Sequence, residues 1–471
     1  MFIMKHTLTF FTALLLTPLA ALHAAEKPNI LVILADDLGY GELNCQGYTS
    51  QIPTPHIDSI AKSGIRFTSG YVSGPYCSPT RAGFMTGRYQ QRYGHEFNPG
   101  PAQAGDFGLS LNEQTFGNRM KAAGYATAWF GKSHLGYAPQ FHPLKRGFDE
   151  YFGFLGGMHS YLDAASDSHN PILRGTTPVD NIDYTTDAFG RETVNFIEKH
   201  RGESWFCYLA FNAVHTPLES TKKYLDRFTN VTDRKRHTFC AMLSAMDDAV
   251  GAVLAKLREL KLEENTLIFF FSDNGGPTPS TTSGNGPLRG FKMQTWEGGI
   301  RIPFLLQWKG RLPAGKVDDR PVIQLDILPT ALAAAGVEIK PEWKLDGVNL
   351  LPYLSGQKSG IPHEALYWRM GQQMAIRMGD WKLVKGVGNK GVEGFAVPGK
   401  ATTDGAELYN LKADIGEKHN LAEQEPAKFK ELAAAWDKWN SELVDPKWPP
   451  PQHRGREKNR QRPGEYALEG D

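Results

Sequence analysis

The chain has 471 residues, 41% of them hydrophobic, enough for one large core or two unequal ones. Its 52 Lys and Arg nearly balance 51 Asp and Glu, so no global field favours nucleic acid, and an anionic ligand must be gripped by a local cluster of cations. The four cysteines match no zinc or disulfide spacing, and a chain of this size needs no such staples.

The elements begin with a targeting segment, residues 1–25. Lys5 supplies its positive start, Leu8 to Leu22 an apolar run too short to span a bilayer comfortably, and Ala24 or Ala25 a small residue for cleavage. No cysteine follows for a lipid anchor, and no later segment reaches about 18 consecutive apolar residues. The mature chain is therefore expected to be soluble, exported and periplasmic, with no membrane contact after cleavage.

Residues 26–336 alternate short apolar runs with helical patterns. That predicts an α/β fold: a large, mostly parallel sheet sandwiched by helices. The run Asn29 to Ala35 lacks polar alternation, as expected of a strand covered on both faces. Thr54 as N-cap and Pro55 at the first turn open a helix that stops at Gly64. A helix near Glu113 to Ala123 feeds a strand at Tyr125 to Phe130, and another strand runs from Trp205 to Phe211. A long helix from about Arg236 to Leu260 buries Met242, Met246, Val250, Val253 and Leu257, and leads into the strand Thr266 to Ser272. Arg301 to Trp308 reads as one more strand. Cys207 and Cys240 read as buried, inert thiols, and Asp247-Asp248 as an exposed helical face.

After Gly336 the texture changes. Alternation in Ala365 to Arg369 and Met374 to Val384 predicts a small antiparallel sheet, and Ala427 to Leu443 a helix packed on it. Residues 337–444 thus form a smaller α+β subdomain, and 445–471 a Pro- and charge-rich tail, solvated or loosely docked.

Polar residues gather at strand ends, where parallel sheets build their sites. One predicted strand ends in Asp36-Asp37, another in Asp273-Asn274, a third in Lys132-Ser133-His134, and a fourth leads to His215. Any one could be turn chemistry; four together predict one convergent site. Three carboxylates and an amide are all oxygen donors, suited to calcium and less well to magnesium. Cys77 precedes Pro79, which fits the first turn of a helix ending at Gly87, so backbone N–H groups favour an anion there and Arg81 lies one turn on. As a plain thiol Cys77 would be a candidate low-pKa nucleophile, yet sulfur is a poor partner for a hard cation.

The run Cys77-Ser78-Pro79-Thr80-Arg81 with Thr86-Gly87-Arg88 resembles the C-x-P-x-R…T-G-R signature of the type I sulfatase family of the alkaline phosphatase superfamily. The resemblance extends through Gly131 to Gly136, Ser272 to Gly276, Gly286 to Lys292, Glu297 to Pro303 and Glu407 to Leu411, nearly the whole mature chain. Ser133 stands where many members carry Trp. The resemblance implies that a maturation enzyme converts Cys77 to formylglycine (3-oxoalanine), whose hydrate presents oxygen to the metal. It also implies one Ca²⁺ held by Asp36, Asp37, Cys77, Asp273 and Asn274, with Arg81, Lys132, His134, His215 and Lys292 around a sulfate group. The implied reaction is sulfate-ester hydrolysis through a sulfo-enzyme intermediate. His215 with Lys292 would protonate the leaving oxygen, and His134 would deprotonate the second hydroxyl.

Export favours a sulfated oligo- or polysaccharide as substrate, with the loop Leu155 to Asp180 (Met158, His159, Ser160, Tyr161 and Arg174) lining the sugar subsite. Two alternatives stay open: a phosphatase or phosphonate hydrolase on the same fold, and a non-catalytic binder of sulfated glycans.

Overall fold

The computed structural model describes residues 27–48, 51–100, 107–386 and 400–449. The targeting segment and most of the tail lie outside the described residues. In chain order the strands are β1 (Asn29–Ala35), β2 (Ile65–Phe67), β3 (Gly70–Tyr71), β4 (Ala126–Lys132), β5 (Glu150–Phe154), β6 (Leu173–Arg174), β7 (Thr177–Pro178), β8 (Trp205–Ala210), β9 (Thr266–Ser272), β10 (Phe304–Gln307), β11 (Lys316–Asp318), β12 (Val322–Ile323), β13 (Leu366–Met370), β14 (Gln373–Met378), β15 (Trp381–Lys385) and β16 (Glu407–Asn410).

Ten of them form one sheet in the order β11-β2-β10-β9-β1-β8-β4-β5-β6-β7. The run from β9 through β5 is parallel. The expected strand at Arg301 to Trp308 forms only over β10 and runs antiparallel to both neighbours.

The apolar run of β1 feeds two cores. Leu31, Ile33 and Ala35 pack with Ile57, Phe196, Met242 and Met246 from the helices Pro55–Lys62, Thr185–Lys199 and Arg234–Glu259. Ile30, Val32 and Leu34 pack with Phe84, Phe116 and Leu328 from the helices Cys77–Thr86, Phe116–Ala122 and Ile327–Ala334 on the other face. This is the period of two along a strand, expressed as two hydrophobic layers. The Arg234–Glu259 helix is long and apolar enough by composition to cross a membrane, but most of its apolar stretch is buried in the protein.

Two further expectations change. Asp247 is buried, and its carboxylate accepts the backbone N–H groups of His56 and Ile57 at 3.1 and 2.8 Å. It therefore caps the Pro55–Lys62 helix from a distance, a role assigned above to Thr54, whose hydroxyl instead donates to Asp58. Asp248 faces outward and pairs with Arg227. Cys207 and Cys240 are buried and free, as expected.

The C-terminal antiparallel sheet is β13-β14-β15-β16, covered by the Pro426–Ser441 helix through Leu432, Trp436 and Trp439. Its core also takes in Tyr71, Tyr89, Trp296, Ile300, Ile323 and Leu325 from the first part of the chain. A buried ionic network ties β15 to β3 and to the short helix Glu297–Ile300. Lys382 lies 2.9 Å from Glu297 and 2.8 Å from Glu417, and Glu297 also bonds Tyr71 at 2.6 Å and Arg301 at 3.2 Å. Opposing charges hold one another at these distances only because every partner is present.

Candidate active site

Four neighbouring parallel strands, β9, β1, β8 and β4, end at one level. Ala35 sits beside Ser272, Leu34 beside Ala210, and Gly131 beside Ala210. The residues that follow therefore converge although they are far apart in sequence. Gly131 makes the closeness possible: its φ is 109°, and a Cβ there would lie 1.8 Å from the Ala210 carbonyl oxygen.

Lys132 Nζ lies 2.5 Å from Asp36, and Arg81 Nη2 lies 3.5 Å from the same carboxylate. Arg81 donates from Nε and Nη2 to Asp273 at 3.1 and 2.8 Å, and from Nη1 to the Lys132 carbonyl at 3.1 Å. Lys292 lies 2.6 Å from Asp37, with His215 Nε2 3.6 Å from its other oxygen. Cys77 Sγ lies 3.8 Å from Asp36. All of these residues, with His134 and Asn274, are buried. Every residue expected at the site, Asp36, Asp37, Cys77, Arg81, Lys132, His134, His215, Asp273, Asn274 and Lys292, is thus placed at this end of the sheet or on the helix and loops that pack against it.

Cys77 opens the Cys77–Thr86 helix, whose end at Gly87 takes φ 66°. Burial pushes its thiol up to about 12, against the pull of Lys132 and Lys292. The low-pKa thiol expected from the helix N-terminus is corrected: desolvation outweighs the dipole. Burial also raises the Asp36 pKa, but Lys132, His215 and Arg81 together outweigh it and hold the carboxyl below its ordinary value. Burial and then Lys132 hold His134 well below the ordinary histidine value, and burial with Lys292 lowers His215. Burial works against the Lys292 charge, yet Asp37, Cys77, Asp36 and Asp273 together outweigh it and lift its pKa well above normal.

The donor chemistry fits a hard divalent cation. Asp36, Asp37, Cys77 and His215 each offer an atom within 4.8 Å of the others. Asn274 Oδ1 is buried without a hydrogen-bond partner, while its Nδ2 donates to Asp37 at 2.7 Å. An unspent oxygen beside carboxylates is what such an ion takes up. Asp273 is committed otherwise, with Arg81 on one oxygen and the Asp37 N–H, at 3.1 Å, on the other.

The loop from Leu155 to Asp180 does not present its named polar residues as an open subsite. Tyr161 is fully buried and its hydroxyl bonds the Asn212 and His215 carbonyls, the latter at 2.8 Å, so it supports the His215 turn. His159 is buried against Phe154, with Nδ1 on the Ser160 carbonyl, while Arg174 pairs with Glu192 at the surface. Sequence reasoning missed His95, Asn98 and Trp448, which crowd the start of the Cys77 helix. No periodicity or motif marks them.

The sulfatase family profile matches residues 28–337, and that of the N-sulphoglucosamine sulphohydrolase C-terminal region matches 291–438. N-acetylgalactosamine-6-sulfatase of Canis lupus familiaris is 34% identical over 77% of this chain and 73% of its own. Arylsulfatase J of Mus musculus is 30% identical over 92% of this chain and 79% of its own. The crystal structures of Ps i-CgsB, alone and with k-i-k-neocarrahexaose, match at 36% identity and a TM-score of 0.81, covering 90% of this chain and 95% of theirs. The chain therefore belongs to the sulfatase family, as a type I member of the alkaline phosphatase superfamily and a sulfuric ester hydrolase.

Proposed function

We propose that the protein removes sulfate from a sulfated carbohydrate, with Cys77 matured to formylglycine as its nucleophile and Ca²⁺ as its metal. The observation that carries this is Cys77 itself. A buried thiol pushed up to about 12, 3.8 Å from a carboxylate, is not a nucleophile near neutral pH. At the same place the hydrate of an aldehyde would offer an oxygen suited to its neighbours.

Asp36, Asp37, Asn274 and the matured Cys77 would hold the ion, with Asp273 completing the set. Bound there, it would supply positive charge for the sulfate oxygens and for the nucleophile. Arg81, Lys132 and Lys292 fix the sulfuryl group and offset the charge that develops on it. His215, held in orientation by its Nδ1 contact of 2.6 Å with the Thr216 carbonyl, delivers a proton toward the leaving oxygen. His134, kept neutral by burial and Lys132, is free to accept one.

The similarity to Ps i-CgsB and to N-acetylgalactosamine-6-sulfatase supports a carbohydrate substrate. The test pairs two readings on protein produced with a maturation enzyme. The Cys77 peptide should be lighter by about 18 Da, the change from CH₂SH to CHO. The same protein should release inorganic sulfate from k-i-k-neocarrahexaose or from N-acetylgalactosamine 6-sulfate. An unmodified Cys77 in active protein would overturn the nucleophile; matured protein releasing no sulfate from any ester would overturn the reaction.

A further inference from the structure

Ser78, next to the nucleophile, is held from two sides by residues to which the reaction assigns no part. Its hydroxyl lies 2.5 Å from the His134 carbonyl and 2.6 Å from His95 Nε2. Its backbone N–H donates to Asn98 Oδ1 at 3.1 Å. A serine has one hydroxyl hydrogen, and a carbonyl can only accept. The hydroxyl therefore donates to His134, and the hydrogen in the other bond belongs to His95 Nε2. His134 needs such a tether, since it stands at φ 58°, a conformation a side-chain-bearing residue adopts only when its surroundings impose it.

Both holders of Ser78 rest on the last described stretch of chain. After the Pro426–Ser441 helix the backbone returns toward the site, Val444 N–H reaching Gln91 and Lys447 N–H reaching Gly94 at 2.9 Å. Trp448 is then buried edge-on against the His95 ring, with centroids 4.8 Å apart, and lies in one cluster with Tyr76, Cys77, Phe97 and Met370. Its indole N–H donates to the Phe97 and Asn98 carbonyls at 3.1 and 3.0 Å. One side chain thus fixes the ring that holds the Ser78 hydroxyl and the backbone of the residue that holds its N–H. The expected solvated or loosely docked tail began at residue 445 and so included Trp448; that expectation is corrected here, because Trp448 is buried against the site.

We propose that His95 and Trp448 are positioning residues, which act through Ser78 to hold the His134 backbone and the first turn at Cys77 in working register. The proposal rests on the roles given above to His134 and Cys77. Burial keeps the His95 imidazole neutral, down to about 3, so the bond to Ser78 persists across the working range.

The test uses full-length matured protein with 4-nitrophenyl sulfate, rates being normalised to the formylglycine content of each preparation. His95→Ala should lower kcat by about 10- to 100-fold with KM within about twofold. His95→Gln, which returns an N–H to Ser78, should recover most of that loss. Trp448→Phe, which keeps the ring and removes the N–H, should fall between. In a Ser78→Ala background, His95→Ala should add little, because both remove one interaction. A kcat unchanged in His95→Ala, no recovery in His95→Gln, or full additivity with Ser78→Ala would overturn the proposal.

A second reading does not depend on turnover. The ¹⁵N shifts of the His95 ring in folded wild type should report the neutral Nε2–H tautomer from about pH 5 to 8. The Nδ1–H tautomer would overturn the proposal even in an inactive protein. Failure of matured wild type to cleave any sulfate ester, with Nε2–H intact, would instead overturn only the reaction assigned to the site.

Discussion

Arg81, fully buried, makes four contacts with three partners. Its Nε and Nη2 grip Asp273, Nη2 approaches Asp36, and Nη1 holds the Lys132 carbonyl. A lysine offers one charged nitrogen and cannot reproduce that fork. Arg81→Lys should lower kcat by about 100-fold or more, as measured by sulfate release, while the fold survives. Asn274 carries a separate prediction. Its Oδ1 has no hydrogen-bond partner, so Asn274→Ala should shrink the calcium-dependent rise in Tm, over and above the metal-free stability lost with the Nδ2 bond to Asp37. For a ligand at about 100 times its Kd that rise corresponds to about 2.7 kcal/mol in wild type, read by thermal melts with and without chelator. The residue types at these positions were legible in the sequence because each stands at a strand end or a helix start, with Lys292 the exception. It lies on a loop, and only the resemblance selected it. His95 and Trp448 were not legible, since their partners are carbonyls and rings supplied by distant segments.

At the scale of elements, the Pro55–Lys62 helix begins on a carboxylate 190 residues away, Asp247. The sequence offered Thr54 as its cap, which is sound local reasoning, but tertiary structure brought a better acceptor. Asp247→Ala should cost about 1–2 kcal/mol in denaturant unfolding, the usual loss for an N-cap. Burial raises the Asp247 pKa from 3.8 to about 6, so the folded state binds its proton more tightly than the unfolded chain does. The contribution of that proton to stability is fully present below the unfolded value and is lost as pH rises through the folded one. Wild type should therefore lose stability relative to Asp247→Asn between about pH 4 and 6, a difference that denaturant titrations at several pH values would register. The long helix of which Asp247 is part was read well from its apolar positions, all five named ones being fully buried. Asp247 was misread, while Asp248 does face outward, because helical spacing cannot distinguish a solvent-facing carboxylate from one facing another helix.

For the whole molecule, the two sheets are one mechanical unit. Lys382 on β15 neutralises Glu297 and Glu417 with no access to solvent, and the aromatic cluster around Trp368 and Trp436 spans the same seam. Lys382→Met should cost about 3–5 kcal/mol, because Glu417 would be left buried without its cation and Glu297 would keep only Arg301 as an ion-pair partner. Urea unfolding followed by tryptophan fluorescence would measure it. The sequence showed the change from parallel to antiparallel texture near Gly336, since alternation of polar and apolar residues differs between the two kinds of sheet. It did not show that the second sheet completes its core with residues from the first part of the chain, among them Tyr71, Trp296 and Leu325, which is a property of three-dimensional packing alone.

The burial of Cys77 also sets an order of events in time. The thiol is 1% exposed, and the groups packed around it include Phe97, Met370 and Trp448, with Lys132, Asp273 and Lys292 nearby, all later in the chain. During synthesis the segment around Cys77 emerges before those groups exist. On the maturation proposed above, an oxidising enzyme would reach the sulfur only in that interval, so maturation would compete with folding as a race between two rates. Chain that folded first would be locked as cysteine, and supplying the enzyme afterwards to native protein should not rescue it.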